Sequence, residues 1–292
     1  MDVFREVQGD VRYDEPMRRH SSFRIGGPAD VFISPASVDD LCTVLRVTNK
    51  MGMPVVVIGA GTNLLVSDEG LRGCVVRVGH HLGAVQREGN ILTADAGVPL
   101  PRLAGMAADW GLSGLEFAAG IPGSVGGAIV MNAGVHGADM SAVVDGVQVA
   151  DHSGNLTFVL GSEMEFGYRN SRIRARRKLV VTAAVLSLIP GKVEQIRETM
   201  AAHLRKRRQT QPLGQPCAGS IFKNPPGDYA GRLIEQCGLK GYKVNDAMIS
   251  PVHANFIVNT GDAHATDVMQ LIAIARQRVL EQCGVSLQLE LE

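Results

Sequence analysis

Residues 111–137 read GLSGLEFAAGIPGSVGGAIVMNAGVHG, and the reading of this stretch decides the fold. Eight of its positions are glycine: Gly111, Gly114, Gly120, Gly123, Gly126, Gly127, Gly134 and Gly137. Glycine loses more backbone entropy on ordering than any other residue, so such density needs a reason: positive φ, or a backbone brought close to another group. A row of N–H groups with no side chains in the way forms a concavity for anions. Ala128, Ile129, Val130 and Met131 follow directly, so a short buried apolar segment carries the loop. The stretch therefore reads as a wall around a phosphate-bearing cofactor. A membrane span is the bland alternative, since residues 117–135 carry no charge and approach the ~20 residues a span needs. The glycines, Pro122, Ser124 and Asn132 inside it argue for a loop system instead.

Working outward toward the N-terminus, residues 59–68 read GAGTNLLVSD and follow Val55-Val56-Val57-Ile58, expected as a buried strand. A strand leading into Gly-x-Gly suggests a dinucleotide turn. Leu64 stands where that fingerprint has its third glycine, and no helix period follows to aim an N-terminus at a pyrophosphate. The loop itself would have to bind, through the N–H groups around Gly61, Thr62 and Asn63. On its own the motif is equally an ordinary glycine turn. Further upstream, HSSFRIGGPAD (20–30) reads as a turn before a strand at 31–33. Ser37 then caps a helix with Asp39 and Asp40 in its first turn and Leu41, Val44, Leu45 and Thr48 on one face. Gly52 and Pro54 end it.

Strands are expected at 74–78 and 91–96, with Gly89-Asn90 as the turn before the second. A helix is expected at 99–110, with Leu100, Leu103, Ala104 and Ala107 inward. Downstream of the glycine wall come a hairpin over 146–160, turning at Ser153-Gly154-Asn155, and an apolar strand over 179–189. A helix over 192–209 ends in Arg205-Lys206-Arg207-Arg208, cations that suit its dipole. The composition shift QTQPLGQP marks a boundary near residue 210. Beyond it lie a helix at 228–237, a strand at 255–259, a helix at 266–283 capped by Thr266, and a terminal strand at 285–292. That strand alternates Val285, Leu287, Leu289 and Leu291 inward. This last part reads as a small α+β domain.

Bulk composition narrows the class. A chain of 292 residues is expected to hold two or three domains, and 45% hydrophobic with 20% charged residues is ordinary for a globular protein. The formal net charge is zero, so no global field recruits nucleic acid or an anionic membrane. The five cysteines are widely spaced and form no CxxC, which supports neither a zinc site nor a disulfide framework and suits a reducing compartment. MDVFREVQGDVRYDE has no apolar core of signal-peptide length, and the expected location is the cytoplasm. No histidine has metal-ligand spacing; His80-His81 are adjacent and on an extended segment would face opposite ways. No metal is expected.

Three places could carry chemistry. FGYRNSR (166–172) puts Arg169 after Tyr168 in a polar loop, and arginine grips carboxylate or phosphate in bidentate fashion. Its neighbours Arg172, Arg174, Arg176, Arg177 and Lys178 read mainly as a solvated basic face. AGSIFKNP (218–225) places Ser220 before an apolar pair, with Lys223 and Asn224 at the loop's end; no GxSxG elbow marks a hydrolase nucleophile. Cys217 beside it lacks a histidine partner in sequence. Glu290, on the terminal strand, looks solvent-facing by pattern alone.

SSFRIGGPAD, GAGTNLLVSD, EFAAGIPGSVGGAIVMNAG, FGYRNS, AGSIFKNP, AGRLIEQCGLKG, HANFIVN and LQLELE occur in this order. The ordered set, covering the chain from about residue 20 onward, resembles the UDP-N-acetylenolpyruvoylglucosamine reductases of peptidoglycan synthesis, in their shorter, type II form. The resemblance implies an α+β chain: a two-subdomain FAD-binding fold of the vanillyl-alcohol-oxidase/PCMH type followed by a small α+β substrate-binding domain. The divisions expected are 1–72, 73–190 and 191–292. It implies non-covalent FAD held by Gly59, Ala60, Gly61, Thr62, Asn63 and Leu64. The second part of the FAD site would be Gly120, Ile121, Pro122, Gly123, Ser124, Val125, Gly126, Gly127 and Ala128. NADPH is implied as hydride donor, UDP-N-acetylglucosamine enolpyruvate as acceptor, and a monomer as the working unit. By the same resemblance Arg169 stabilises developing negative charge, Glu290 polarises the substrate carboxylate as the protonated acid, and Ser220 donates the final proton. Tyr168, Lys223, Asn224 and His253 would bind substrate. The family often ends in Glu-x-Glu-Val-Arg or similar, whereas this chain reads Gln288-Leu289-Glu290-Leu291-Glu292, so either Glu290 or Glu292 can be the functional acid. A flavin oxidase on the same fold and a non-catalytic nucleotide-binding module are the competing readings.

Overall fold

The computed structural model describes residues 3–135, 137–176 and 178–292. The chain forms two compact units: Met1–Tyr13, Val31–Ala60 and Arg72–Arg205 in the first, and Asp14–Asp30, Gly61–Leu71 and Lys206–Glu292 in the second. The units interleave along the chain, where the expected division is linear.

Helix α1 (Val38–Lys50) starts as its sequence dictates. Ser37 Oγ accepts the Asp40 N–H at 3.1 Å, and Leu41, Val44, Leu45 and Thr48 are buried. Asp40 also turns inward and accepts the N–H groups of Gln8, Gly9 and Ala36 at 2.8–2.9 Å, which satisfies a buried carboxylate with backbone donors. A four-stranded sheet has the order Asp10–Pro16, Pro28–Ser34, Leu71–Arg77, Val55–Ile58, and the last two strands are parallel. Val55–Ile58 is a strand but not a buried one. It lies at the sheet's edge, and Val56 and Val57 are 39% and 37% exposed.

The five-stranded sheet of the first unit is antiparallel, in the order Leu156–Leu160, Val144–Asp151, Leu179–Ser187, Ile91–Asp95, Val85–Glu88. The expected hairpin pairs Gly146 with Leu160 through Ala150 with Leu156. The apolar strand Leu179–Ser187 is central, which is why it reads as a continuous hydrophobic run. Helix α2 (Leu100–Asp109) buries Leu100, Leu103, Ala104 and Ala107, and α3 (Val125–Met131) is the apolar segment of the glycine wall. A short helix, α4 (Arg172–Arg176), and a long one, α5 (Val193–Thr210), follow. His80 and His81 do not point to opposite faces: they occupy a turn, and their rings lie 4.0 Å apart.

In the second unit the sheet runs Cys217–Ser220, Phe256–Asn259, Ala247–Ile249, Lys243–Val244. Helices α6 (Ala230–Gln236) and α7 (Ala265–Cys283) belong to the same unit. Phe23 and Ile25, from the SSFRIGG motif, join Leu233, Ile257, Leu271 and Ile272 in one core. Full burial of each such side chain contributes roughly 1.5–3 kcal/mol.

Two expectations fail here for identifiable reasons. Thr266 does not cap α7. The cap is His264, whose N–H is bonded by Asp267, and the next two donors, Ala265 and Thr266, are taken by the Asp68 carboxylate at 2.8 and 3.1 Å. Residues 285–292 do not form a regular strand. The N–H groups of Glu290 and Leu291 both converge on the Ile221 carbonyl, and Glu292 pairs instead with Asn63 and Leu65, leaving one bridge, Phe222 to Leu289.

Candidate active site

The two glycine loops meet. A Cβ added at Gly59 would collide with Ser124 Oγ, so the backbone leaving Val55–Ile58 lies directly against the start of α3. Ser124 is buried and its Oγ accepts the Gly127 N–H at 3.4 Å. The expected row of free amides is only partly realised. Val125 N–H donates to Val98 O and Gly126 N–H to Ala96 O, both at 2.9 Å, and Ala128 N–H goes to Ser124 O. The N–H groups of these three buried residues are therefore engaged within the protein and are not donors for an anion. Gly126 is required by packing, since its Cβ would stand 2.9 Å from Ala96 Cβ, and Gly123 by φ +143°. Ile121 N–H closes back onto Ala118 O, while Gly120 ends the short helical turn Glu116–Gly120. Ala60, Pro122 and Gly127 are exposed, and nothing but Ser124 Oγ, at 3.6 Å, would lie within 4 Å of a Cβ at Gly127. An uncluttered glycine surface of this kind fits a bulky phosphate-linked ring system lying against the backbone.

Beyond Ala60 the loop is stitched into the second unit. Gly61, with φ +68°, lets the chain pass His20 O and accepts the Ser22 N–H at 3.0 Å. Leu64 O accepts Ser21 Oγ, and Asn63 donates its amide to Glu290 O at 3.1 Å and accepts the Glu292 N–H. Thr62 lies between Gly61 and Asn63, partly buried.

In the first unit Tyr168 and Arg169 form the tip of a tight turn closed by two bonds between Gly167 and Asn170. Arg169 adopts φ +52°; its guanidinium lies 5.1 Å from the Tyr168 ring centroid and donates to Gly134 O at 2.8 Å. Tyr168 is 53% exposed. The basic neighbours divide up. Arg174 donates to Arg169 O, Arg172 to Glu163 O, and Arg176 pairs with Glu165 at the surface. Lys178 is exposed, and Arg177 lies outside the described residues.

In the second unit Ser220 ends the strand Cys217–Ser220 after a bulge against Phe256–Asn259, with Gly219 at φ +76°. A bulge re-aims the side chain that follows it. Ser220 lines a cavity of about 390 Å³ together with Asn224, His253, Tyr229, Arg232 and Glu235. Three expected residues are thus brought together. Asn224 Oδ1 accepts the Ala230 N–H at 3.0 Å and so caps α6. His253 packs edge-on against Phe256, and Gly231 makes room for its ring. Burial, and then the nearby Lys240 charge, hold its pKa below the ordinary value, only partly offset by Glu235. Lys223 is not among the residues lining the cavity; its N–H binds Gln288 O at 2.8 Å and ties the loop to the terminal segment. The Glu290 N–H bonds Ile221 O, which fixes this half-buried residue one position from Ser220. Glu292 is exposed.

Sequence reasoning missed Asn255. It is buried, exchanges two side-chain bonds with the Phe222 backbone at 2.8 and 2.9 Å, and accepts the Ile221 N–H, so it holds the loop after Ser220. The signal available was a polar residue inside the apolar run of HANFIVN. Arg232, held by Asp228, and Glu235 were missed because both lie on the outer face of a short helix.

The proteins named UDP-N-acetylenolpyruvoylglucosamine reductase from Anoxybacillus flavithermus and Bacillus subtilis are 45% and 44% identical to this chain. The matches span 97% and 99% of it and 94% and 95% of theirs. The chain belongs to the UDP-N-acetylenolpyruvoylglucosamine reductase family. Residues 211–292 match the C-terminal domain of that family, and residues 29–159 match an FAD-binding domain. The crystal structure of the reductase from Thermus caldophilus superposes with a TM-score of 0.83 at 38% identity, covering 98% of each chain. As a member of the reductase family the protein is an oxidoreductase with an FAD-binding domain, and the expected α+β flavoprotein fold holds. Its length fits the short type. Both glycine loops fall inside the matched FAD-binding region and Ser220 to Glu290 inside the C-terminal one, while Arg169 lies between them. No helix among the described residues is long and apolar enough to cross a membrane.

Proposed function

We propose that the chain catalyses the NADPH-dependent reduction of the enolpyruvyl group of UDP-N-acetylglucosamine enolpyruvate to the D-lactyl ether. The product, UDP-N-acetylmuramate, serves peptidoglycan synthesis in the cytoplasm. The observation that carries the reading is the bulge-aimed Ser220 in one cavity with Asn224 and His253, with Glu290 tied to the adjoining residue. In this reading residues 1–72 and 73–190 serve the cofactor, residues 191–292 serve the substrate, and one chain suffices.

When bound along residues 59–64 and 120–128, FAD supplies the hydride-transfer chemistry between NADPH and the enolpyruvyl carbon. The protein's part is charge and proton control. Hydride addition to the terminal methylene leaves negative charge on the next carbon and on the carboxylate, and fixed cationic or hydrogen-bonding groups stabilise such charge best where water is excluded. Arg169 takes that role, its guanidinium oriented by Gly134 O and Tyr168. Glu290 polarises the carboxylate. Ser220 Oγ delivers the proton to the carbon; a hydroxyl is a weak acid, and it suffices because the carbon is strongly basic. Tyr168, Lys223, Asn224 and His253 hold the nucleotide sugar. Ser220→Ala is the test. Bleaching of the flavin by NADPH should proceed at the wild-type rate, while recolouring by the enolpyruvyl substrate slows by about 10²–10⁴-fold, the usual worth of a general acid. Equal recolouring rates in both proteins would remove Ser220 from the reaction.

A further inference from the structure

Asn132 has no part in the chemistry above, yet it is a buried polar side chain, 2% exposed, and it holds a left-handed backbone at φ +43°. It closes α3. Its Nδ2 donates to Gly167 O at 3.1 Å and its Oδ1 accepts the Ser141 N–H at 3.0 Å. Gly167 is the first residue of the turn whose tip is Arg169. Two more bonds join the same two segments: Arg169 to Gly134 O at 2.8 Å, and Ser171 Oγ to Val130 O at 2.8 Å. The end of α3 thus grips the base of the turn on both sides and its guanidinium at the tip. The opposite end of α3 begins at Ser124, against Gly59.

We infer that Asn132 is a positioning residue for Arg169: through Gly167 it sets the guanidinium at a fixed distance from the cofactor wall, with α3, about 10 Å long at 1.5 Å per residue, as the spacer. This rests on the reading of Arg169 as the charge-stabilising group. An amide donates to Gly167 O and accepts the Ser141 N–H at once, sharing that N–H with Asp139 Oδ1 at 3.1 Å, and the bond to Gly167 is the one that only a donor can make. Aspartate keeps the acceptor but sets oxygen against oxygen at Gly167. Glycine keeps the left-handed turn and loses both bonds.

The experiment places Asn132→Asp and Asn132→Gly in the wild-type and Arg169→Ala backgrounds. Three quantities are read: bleaching by NADPH, recolouring by the enolpyruvyl substrate, and the affinity of the FAD-loaded protein for UDP-N-acetylmuramate by calorimetry. A displacement on the order of 1 Å can cost ~10²-fold in rate. Recolouring should therefore slow by about 10- to 100-fold in either variant and product affinity should drop, with bleaching within about twofold of wild type. In the Arg169→Ala background the same substitutions should cost less than about twofold more, because residues acting as one unit are not additive. Slow Arg169→Ala with unimpaired Asn132 variants overturns the inference and leaves the reading of Arg169 standing. So does a full extra loss in the double variant. If Arg169→Ala itself recolours at the wild-type rate, the reading of Arg169 fails first.

Discussion

Gly127→Ala separates the protein's own stability from its hold on the cofactor. Gly127 is the third residue of α3, exposed, and a Cβ there meets nothing nearer than Ser124 Oγ at 3.6 Å. Inside a helix alanine outdoes glycine by ~0.5–1 kcal/mol, because it surrenders less backbone entropy. Flavin-free protein should therefore melt higher, by roughly 2 °C for a chain of this size. The added methyl also stands out from the surface against which the FAD would lie. An intruding methyl in a close-packed contact costs ~1–3 kcal/mol, which is about 5- to 150-fold in Kd. Differential scanning calorimetry of the flavin-free protein and quenching of flavin fluorescence on titration give the two numbers. Gly126→Ala is the contrasting control: its Cβ would stand 2.9 Å from Ala96 Cβ and 3.2 Å from Ala96 O, so it should lower stability by ~1–3 kcal/mol. A Gly127→Ala protein that melts higher and binds FAD with wild-type affinity would refute the placement of the cofactor against this helix.

Two further outcomes follow from the second unit. Glu290→Gln should lower kcat by at least about 10²-fold, the lower end for a lost acid–base group, whereas Glu292→Gln stays within about twofold; steady-state assays that showed the reverse would move the acid to Glu292. His253 is held neutral by burial, its pKa below the ordinary value. As pH falls the unfolded chain takes up that proton first, so the stabilisation is complete above about pH 6.5 and is lost as pH drops toward the folded pKa. Melting temperature should decline on acidification below about pH 6.5, less steeply in His253→Gln, and identical slopes would show that another group governs the decline.

Local signals carried what they could. The Ser37 cap, the face of α2 and the 146–160 hairpin are set by residues within a few positions of one another, and all three form as expected. The glycine stretch was legible as a special backbone, but its purpose divided. Gly126 serves packing on Ala96, and the first α3 amides, of Val125 and Gly126, serve Val98 and Ala96, partners nearly thirty residues away whose identity no local pattern encodes. Long-range pairing also explains the failures. Asp68 takes the α7 donors in place of a Thr266 cap, and Asn63 and Leu65 pull the terminal segment out of a regular ladder. Val55–Ile58 is apolar enough for a core strand, and its edge position leaves it partly open. Ser220 and Glu290 stand out as candidates in the sequence but take their roles only from resemblance, because the bulge that aims one and the Ile221 carbonyl that ties down the other are tertiary. Asn132 was visible as a polar break in an apolar run, without its partner Gly167.

The most direct measurement is an anaerobic absorbance trace of the purified, FAD-loaded protein, with NADPH added first and UDP-N-acetylglucosamine enolpyruvate second. Bleaching of the oxidised flavin band by NADPH, followed by its return on addition of the enolpyruvyl sugar and formation of UDP-N-acetylmuramate, is the expected result. A band that bleaches and stays bleached after the sugar is added would contradict the proposed acceptor.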